Sequence, residues 1–440
     1  MDETELKAVL AAERAAALGG MAGAELAAER ARAMDYYLGD MDADMPAAEG
    51  RSRAVSTDVA DTVDGIMPSL MDIFTGSDEI VRFAPMGPED EAAAQQETDY
   101  VNHIFFHEND GFVVLHGMIK DALIQKNGIV KFWWEEGRDG ERETYTDLTD
   151  DAFAAIALEA SRGLVEIVAH AAREAPADQP GEARPTTKLH DVVVIRGRSH
   201  GRVRVMAVPP EEFLISARAR SIADAPYCAH VVKRTVSELI AAGYPRELVE
   251  RLPSGSAATG DEAAARATVG DDDPRGEAVA NAAMRQITVT EHYIRVDWDG
   301  DGIAELRKVT TAGPGDEILD NVPYDRMPFA GITPILMSHR FWGRSVADLV
   351  IDVQRIKTAL LRALLDNAYF ANNQRLEGAE THASDYTLDD LLTNRPGGIV
   401  RTRMPGGLTP IPSNPIGPHV FPVLEYMDAT REVRTGVQRF

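Results

Sequence analysis

One apolar stripe near the C-terminal end constrains this chain more than any other feature. Between 344 and 374, Val346, Leu349, Val350, Val353, Ile356, Leu360, Leu364 and Tyr369 recur at three- and four-residue spacing, with no Gly or Pro among them. That period puts them on one face of an α-helix. At 1.5 Å per residue the helix is about 45 Å long, well beyond the common globular length of about 10–14 residues. A stripe that long needs neighbours to bury it.

The elements before it are mixed, which makes the fold class α+β. Residues 1–38 carry helical spacing through Leu6, Leu10, Leu18 and Leu26, and Gly19-Gly20 predicts a break into two helices. After a polar loop (39–51), a helix over 56–74 would present Val59, Val63, Ile66 and Leu70, with a kink or break at Pro68. Pro88-Glu89-Asp90-Glu91 starts a helix that reaches His107. A further helix, 111–125, buries Val114, Met118 and Leu123. Asn127-Gly128 then turns the chain into Ile129-Val130-Lys131-Phe132-Trp133-Trp134, a strand by composition. Its two tryptophans point to opposite faces, one toward the core and one toward an interface.

Residues 150–173 read as helix, 176–185 as a polar linker, and 191–197, 202–208 and 212–216 as strands. A short helix over 235–243 is ended by glycine. Residues 253–285, rich in Ser, Gly, Ala, Asp and Glu, read as a disordered low-complexity insertion. Segments 286–296 and 303–310 flank an Asp-Gly turn and form a hairpin. The Pro- and Gly-rich stretch 394–418 is too broken for helix. A last helix begins near Val423 and reaches the end with no capping glycine, so a truncated chain is expected.

Composition excludes several classes. The 440 residues suffice for two or more compact units. No apolar run approaches the roughly 20 residues of a membrane span, and the acidic Met1-Asp2-Glu3 opening resembles neither a secretory signal nor a transit peptide. Cys228, the single cysteine, makes no internal disulfide and reads as a buried small residue in a chain folded in a reducing cytoplasm. The net charge of −26 argues against a grip on nucleic acid, whose affinity comes from Lys and Arg. It is compatible with solubility and with a non-adhesive acidic channel. Phosphate-loop and His-Glu-x-x-His motifs are missing from the sequence, so no enzyme is expected. His103 and His107, four apart, read as one polar helix face.

Two local sites stand out. Asp297-Trp298-Asp299-Gly300-Asp301-Gly302 matches the first half of a calcium loop, with Glu305 at the ninth position. Lys308 stands where the bidentate Glu belongs, and the flanks read as strands, so a weak structural Ca2+ site competes with an ion-free turn. Arg395, Arg401 and Arg403 cluster in the broken stretch, to contact DNA, an acidic partner, or neighbouring Asp389 and Asp390. A calcium-dependent binding module would call for a secretion signal and repeated Asp loops, and a metal-dependent nuclease for a dispersed acidic site on a strand-rich core.

Short marks recur in order along the chain: Gly50-Arg51-Ser52-Arg53-Ala54-Val55-Ser56 leading into Asp58-Val59-Ala60-Asp61-Thr62-Val63, Ile73-Phe74-Thr75-Gly76-Ser77, and Tyr100-Val101-Asn102. Lys120-Asp121-Ala122-Leu123-Ile124-Gln125-Lys126-Asn127-Gly128, Val208-Pro209-Pro210-Glu211-Glu212-Phe213, the Asp-Gly-Asp-Gly hairpin and Gly343-Arg344-Ser345-Val346-Ala347-Asp348 follow. In these the chain, from about residue 30 to 440, resembles the portal proteins of short-tailed bacteriophages typified by phage P22. The resemblance implies a portal fold: an N-terminal helical arm (1–38), a mixed α/β wing (39–342), a first stem helix (343–374), a clip (375–420) and the start of a second stem helix (421–440), the crown being absent.

It further implies a ring of about twelve subunits at a capsid vertex, assembled in the host bacterial cytoplasm and carried in the virion. The partners implied are the terminase large subunit, tail adaptor proteins, capsid and scaffolding proteins, and double-stranded DNA passing through the channel, with no membrane and no required cofactor.

Overall fold

The computed structural model describes residues 1–19, 21–77, 79–162, 165–174, 188–254, 281–372, 374–393, 397–412 and 416–437. The helices in chain order are α1 (Glu3–Gly19), α2 (Met21–Leu38), α3 (Asp58–Thr75), α4 (Glu91–His103), α5 (Gly111–Gln125) and α6 (Asp150–Ser161). They continue with α7 (Val236–Ala241), α8 (Arg246–Arg251), α9 (Ala347–Asn372), α10 (Thr387–Leu392) and α11 (Gly417–Thr435). The strands are β1 (Gly128–Leu148), β2 (Val165–Glu174), β3 (Lys188–Val208), β4 (Phe213–Ile215), β5 (Tyr227–Thr235) and β6 (Gln286–Val296). The rest are β7 (Glu305–Ala312), β8 (Glu317–Pro323), β9 (Phe329–Ile332), β10 (Leu376–Glu377) and β11 (Thr409–Pro410). The described chain is α+β, as its sequence predicts. It divides into a first unit (1–80, 115–130 and 207–440) and a second (81–114 and 131–206).

The first unit is built on an antiparallel sheet of order β4-β5-β6-β7-β8. Both of its faces are covered. Alternate residues Leu214, Tyr227, Ala229, Ile294 and Val296 meet Leu6 and Leu10 of α1, while Phe213, Ile215, Cys228 and Tyr293 pack with Met327 and Phe329. Cys228 is buried, and desolvation pushes its thiol up to about 12, so it behaves as the small apolar residue expected. Helices α7 and α8 close one end of the sheet through Val236, Leu239, Val249 and Leu252 on Ile287 and Val289. Thr235 and Glu238 form a reciprocal capping box at the start of α7. The hairpin of β6 and β7 pairs Val296 with Glu305, as predicted. The low-complexity insertion lies, over 255–280, outside the described residues. Arg285 just beyond it donates to the carbonyls of Val249, Glu250 and Leu252 at the end of α8, where a cation complements the helix's carbonyl terminus.

The second unit holds α4, α6 and a sheet in which β2, β3 and β1 are neighbours in that order. Two expectations change here. Residues 165–174, read as helix, form a strand, because Val165 and Ile167 alternate at period two and pack with Val192, Val194 and Ile156. Segments 191–197 and 202–208, read as separate strands, are one 21-residue strand beside the equally long β1. The linker over 176–185 lies outside the described residues. Trp133 is half-buried and Trp134 exposed, opposite faces as a strand requires. Val114 and Leu123 of α5 are buried, and Met118 is half-buried.

Two further corrections concern helices. α3 runs unbroken through Pro68, which faces outward, and its buried apolar residues are Val59, Val63, Met67 and Met71, with Ile66 and Leu70 half-buried. α11 is closed by a glycine after all: Gly436 adopts φ 72° and its N–H donates to the Glu432 carbonyl at 2.8 Å.

Gly128 yields a direct prediction. A Cβ there would sit 1.8 Å from the Met118 carbonyl oxygen, a backbone atom of α5. Backbone cannot swing aside as a side chain can, so Gly128→Ala is expected to destabilise the chain by at least about 3 kcal/mol, read as a lowered urea midpoint.

Candidate functional site

The long helix predicted from the apolar stripe is α9. Its N-terminal half is buried at Val350, Ile351 and Val353, and the stripe also contains two fully buried polar residues, Gln354 and Thr358. They are satisfied by neighbouring backbone: Gln354 donates from Nε2 to the Tyr36 carbonyl at 2.9 Å and accepts from the Val59 N–H at 2.8 Å. Thr358 Oγ1 accepts from the Ser56 N–H at 3.1 Å. Of the other predicted packing residues, Val346, Leu349, Leu360 and Leu364 are half-buried and Ile356 is exposed.

α11 lies antiparallel along α9. The Ile416 N–H donates to Asn367, Lys357 pairs with Asp428 at 2.7 Å, and Arg434 donates to the Leu349 carbonyl. As position rises in one helix it falls in the other. Their crossing is fixed by an ion cluster around Asp58 at the start of α3, whose side chain is 1% exposed. Asp58 meets Lys357 and, at 3.4 Å, Arg431, and accepts a hydrogen bond from Ser56 Oγ. Each helix leaves large apolar side chains uncovered: Ile356, Leu365 and Tyr369 on α9; Phe421, Val423, Tyr426 and Val433 on α11.

Between them the chain makes a small excursion, 374–412. β10 and β11 pair at its base through Leu376 with Pro410 and Glu377 with Thr409. Ala383 bridges Thr402. Arg401 holds Asp390 with two guanidinium bonds of 2.8 and 2.7 Å and lies over the Tyr386 ring. Those bonds keep the Asp390 carboxyl down at about 2. Arg403 reaches Asp385 at 3.5 Å. Arg395 lies outside the described residues. Much of the excursion's apolar surface is open, including Leu388, Leu392, Ile399 and Met404.

The acidic turn joins β6 to β7. Carboxylate oxygens of Asp297, Asp299 and Asp301 lie within 4.8 Å of one another. Each also caps the turn's own backbone: Asp297 accepts from Gly300 and Gly302, Asp299 from Asp301, and Asp301 from Ile303. Glu305, expected among the ligands, instead accepts from Arg307 at 2.9 Å. Gly300 and Gly302 adopt φ of 84° and 89°, which explains both glycines.

A cavity of about 910 Å3 in the first unit lies among α2, 210–219 and 337–352, with Arg30 over the Trp342 ring. Among the described residues no helix is long and apolar enough to cross a membrane. Sequence reasoning missed the Asp58 cluster, because nothing local marks an aspartate whose partners lie 299 and 373 residues away.

Comparison with curated proteins gives no match. The family profile described as "Phage SU10 portal protein" matches residues 6–440, nearly the whole chain. The paired helices and the excursion between them fit that match: the chain belongs to this phage portal protein family and is a structural, non-enzymatic subunit of the DNA channel at the virion's capsid vertex.

Proposed function

We propose that about twelve copies close into a ring, with α9 and α11 forming the stem of each subunit and 375–420 its clip. In this reading 39–342 is the wing and 1–38 an arm, as in portals of the P22 kind. The observation that carries the reading is the antiparallel α9/α11 pair with an excursion at one end and uncovered apolar side chains along its length. Such surface on a charged chain calls for a neighbour, and cyclic symmetry offers the same neighbour to every subunit. The clip would face the terminase large subunit during packaging and tail adaptors afterwards, while the wing meets capsid and scaffolding proteins. The net charge of −26 favours a channel through which double-stranded DNA slides without a deep electrostatic well. Within the clip, Arg401 serves Asp390, and Arg403, with its longer pair, is the better candidate for an acidic partner; Arg395 joins it by position in sequence.

The acidic turn is proposed as a self-capped turn that takes calcium only weakly. Asp297→Ala, which removes two backbone caps, is expected to cost about 1 kcal/mol, whereas about 1 mM calcium should move the melting temperature of the parent chain little.

Mass photometry with negative-stain microscopy tests the ring. Particles with a central hole and about twelve subunits support it. A chain that stays monomeric at every concentration, including when joined to any downstream reading frame, would overturn it.

A further inference from the structure

The second unit contains a linked trio that the portal role does not use. His170 on β2 and His190 on β3 share one face of the hairpin, since His170 pairs with Val192 and His190 with Ala172. His170 Nε2 lies 2.7 Å from His190 Nδ1, and His190 Nε2 lies 2.8 Å from Asp150 Oδ1 at the start of α6. The ring of Phe153 lies flat over both imidazoles, with centroids at 4.3 and 4.6 Å and planes within 8° and 11°.

A neutral imidazole has one N–H and one lone pair. Asp150, a carboxylate, accepts from His190 Nε2–H, which leaves Nδ1 as the lone-pair nitrogen. His170 aims Nε2 at the same point. A histidine whose outer nitrogen is held by a carboxylate while the inner one faces a second histidine is the arrangement by which proteins orient metal ligands. We propose that His170 Nε2 and His190 Nδ1 bind one transition-metal cation of the zinc class, with water completing its coordination.

At zinc–nitrogen distances of about 2.0–2.1 Å, two tetrahedral ligands stand about 3.3 Å apart. The nitrogens must therefore part by roughly 0.6 Å, which rotation of the exposed His170 supplies. His170 changes tautomer on binding: its hydrogen passes through solvent from Nε2 to Nδ1, and no net proton is released. Phe153 shields one side of the site and offers the cation its π face. The need for such a staple is visible nearby. Among the described residues the cluster beneath buries Ile156, Val165, Val192 and Val194, a small core of the kind to which a bound metal adds stability.

The test uses the full, untagged, metal-free chain titrated with zinc chloride and nickel chloride, by calorimetry and by thermal unfolding. One ion per chain is expected, with a raised melting temperature. Binding should vanish in His170→Ala and weaken by roughly 10–100-fold in Asp150→Asn. Because His170 is exposed, its replacement should leave the circular dichroism spectrum intact. The other histidine pair, His103 and His107, with ring centroids 5.1 Å apart, is the control, and its double alanine variant should bind as the parent does. No binding at about 1 mM zinc, binding unchanged by His170→Ala, or binding lost in the control would each overturn the site. A parent that binds no metal yet loses stability in His170→Ala would reduce the pair to a shared-proton hydrogen bond.

Discussion

Asp58→Ala is expected to destabilise the chain by about 3–5 kcal/mol, the range for removing one partner from a buried ion cluster. The loss is large because of what stays behind. Lys357 and Arg431, both with side chains about 13–14% exposed, would remain against the core without their shared carboxylate. Asp428 would still neutralise Lys357, but Arg431 would keep no such pair at that point. The effect should fall on the α9/α11 pairing, since the cluster joins α3 to both helices. Hydrogen exchange ought to rise first over 417–435. Asp61→Ala, an exposed carboxylate one turn further along α3, is the comparison and should stay within about 0.5 kcal/mol of the parent. Equal losses in the two variants would show that Asp58 is an ordinary surface acid, contrary to its burial.

Acidification supplies the second large effect. His292 is 1% exposed, bridging the Tyr227 hydroxyl at 2.9 Å and the Thr311 hydroxyl at 3.0 Å. Burial, helped by the positive charge of Arg14, pushes its pKa down to about 3 from an ordinary 6.5. In the unfolded chain the imidazole takes a proton below 6.5, whereas the folded chain refuses it until about 3. Stability is therefore intact above pH 6.5 and declines as pH falls toward 3. At pH 4.5 the loss from this one residue is on the order of 3 kcal/mol. Urea titrations at pH 7.5 and 4.5 measure it. In His292→Gln, which keeps hydrogen-bonding capacity but does not titrate, the gap between the two pH values should shrink by about that amount. An unchanged gap would mean that other groups carry the acid sensitivity.

What could be read from the residues alone depended on how local the cause was. α9 announces itself because its period survives from Val346 to Tyr369 without a breaker. The β6/β7 hairpin does so because its Asp-Gly turn demands particular φ values, borne out at Gly300 and Gly302. By contrast β5 went unrecognised. Its residues Tyr227, Cys228, Ala229 and His230 are all buried, because the sheet is covered on both faces, and polar–apolar alternation is lost there. α11, expected from near Val423 after a stretch to 418 read as too broken for helix, starts earlier, because proline is tolerated in a helix's first turn. The helix begins at Gly417 with a proline in its first turn and carries Pro422 within it.

The candidate site divides the same way. The stripe residues were visible, but their partners were not. Gln354 and Thr358 look like interruptions of an apolar face until Tyr36, Val59 and Ser56, some 300 residues earlier, meet them. The His170–His190–Asp150 trio was equally hidden, since the helix expected over 150–173 would have put His170 on a different element. A strand there is what aligns it with His190.

The most direct test of the account is an electron cryo-microscopy map of the assembled particle, asking which elements border the central hole. The account predicts a ring of about twelve copies whose channel wall is the α9/α11 pair, with the 374–412 excursion projecting from one end. A hole bordered instead by the β4–β8 sheet, with α9 and α11 turned away from it, would contradict the account.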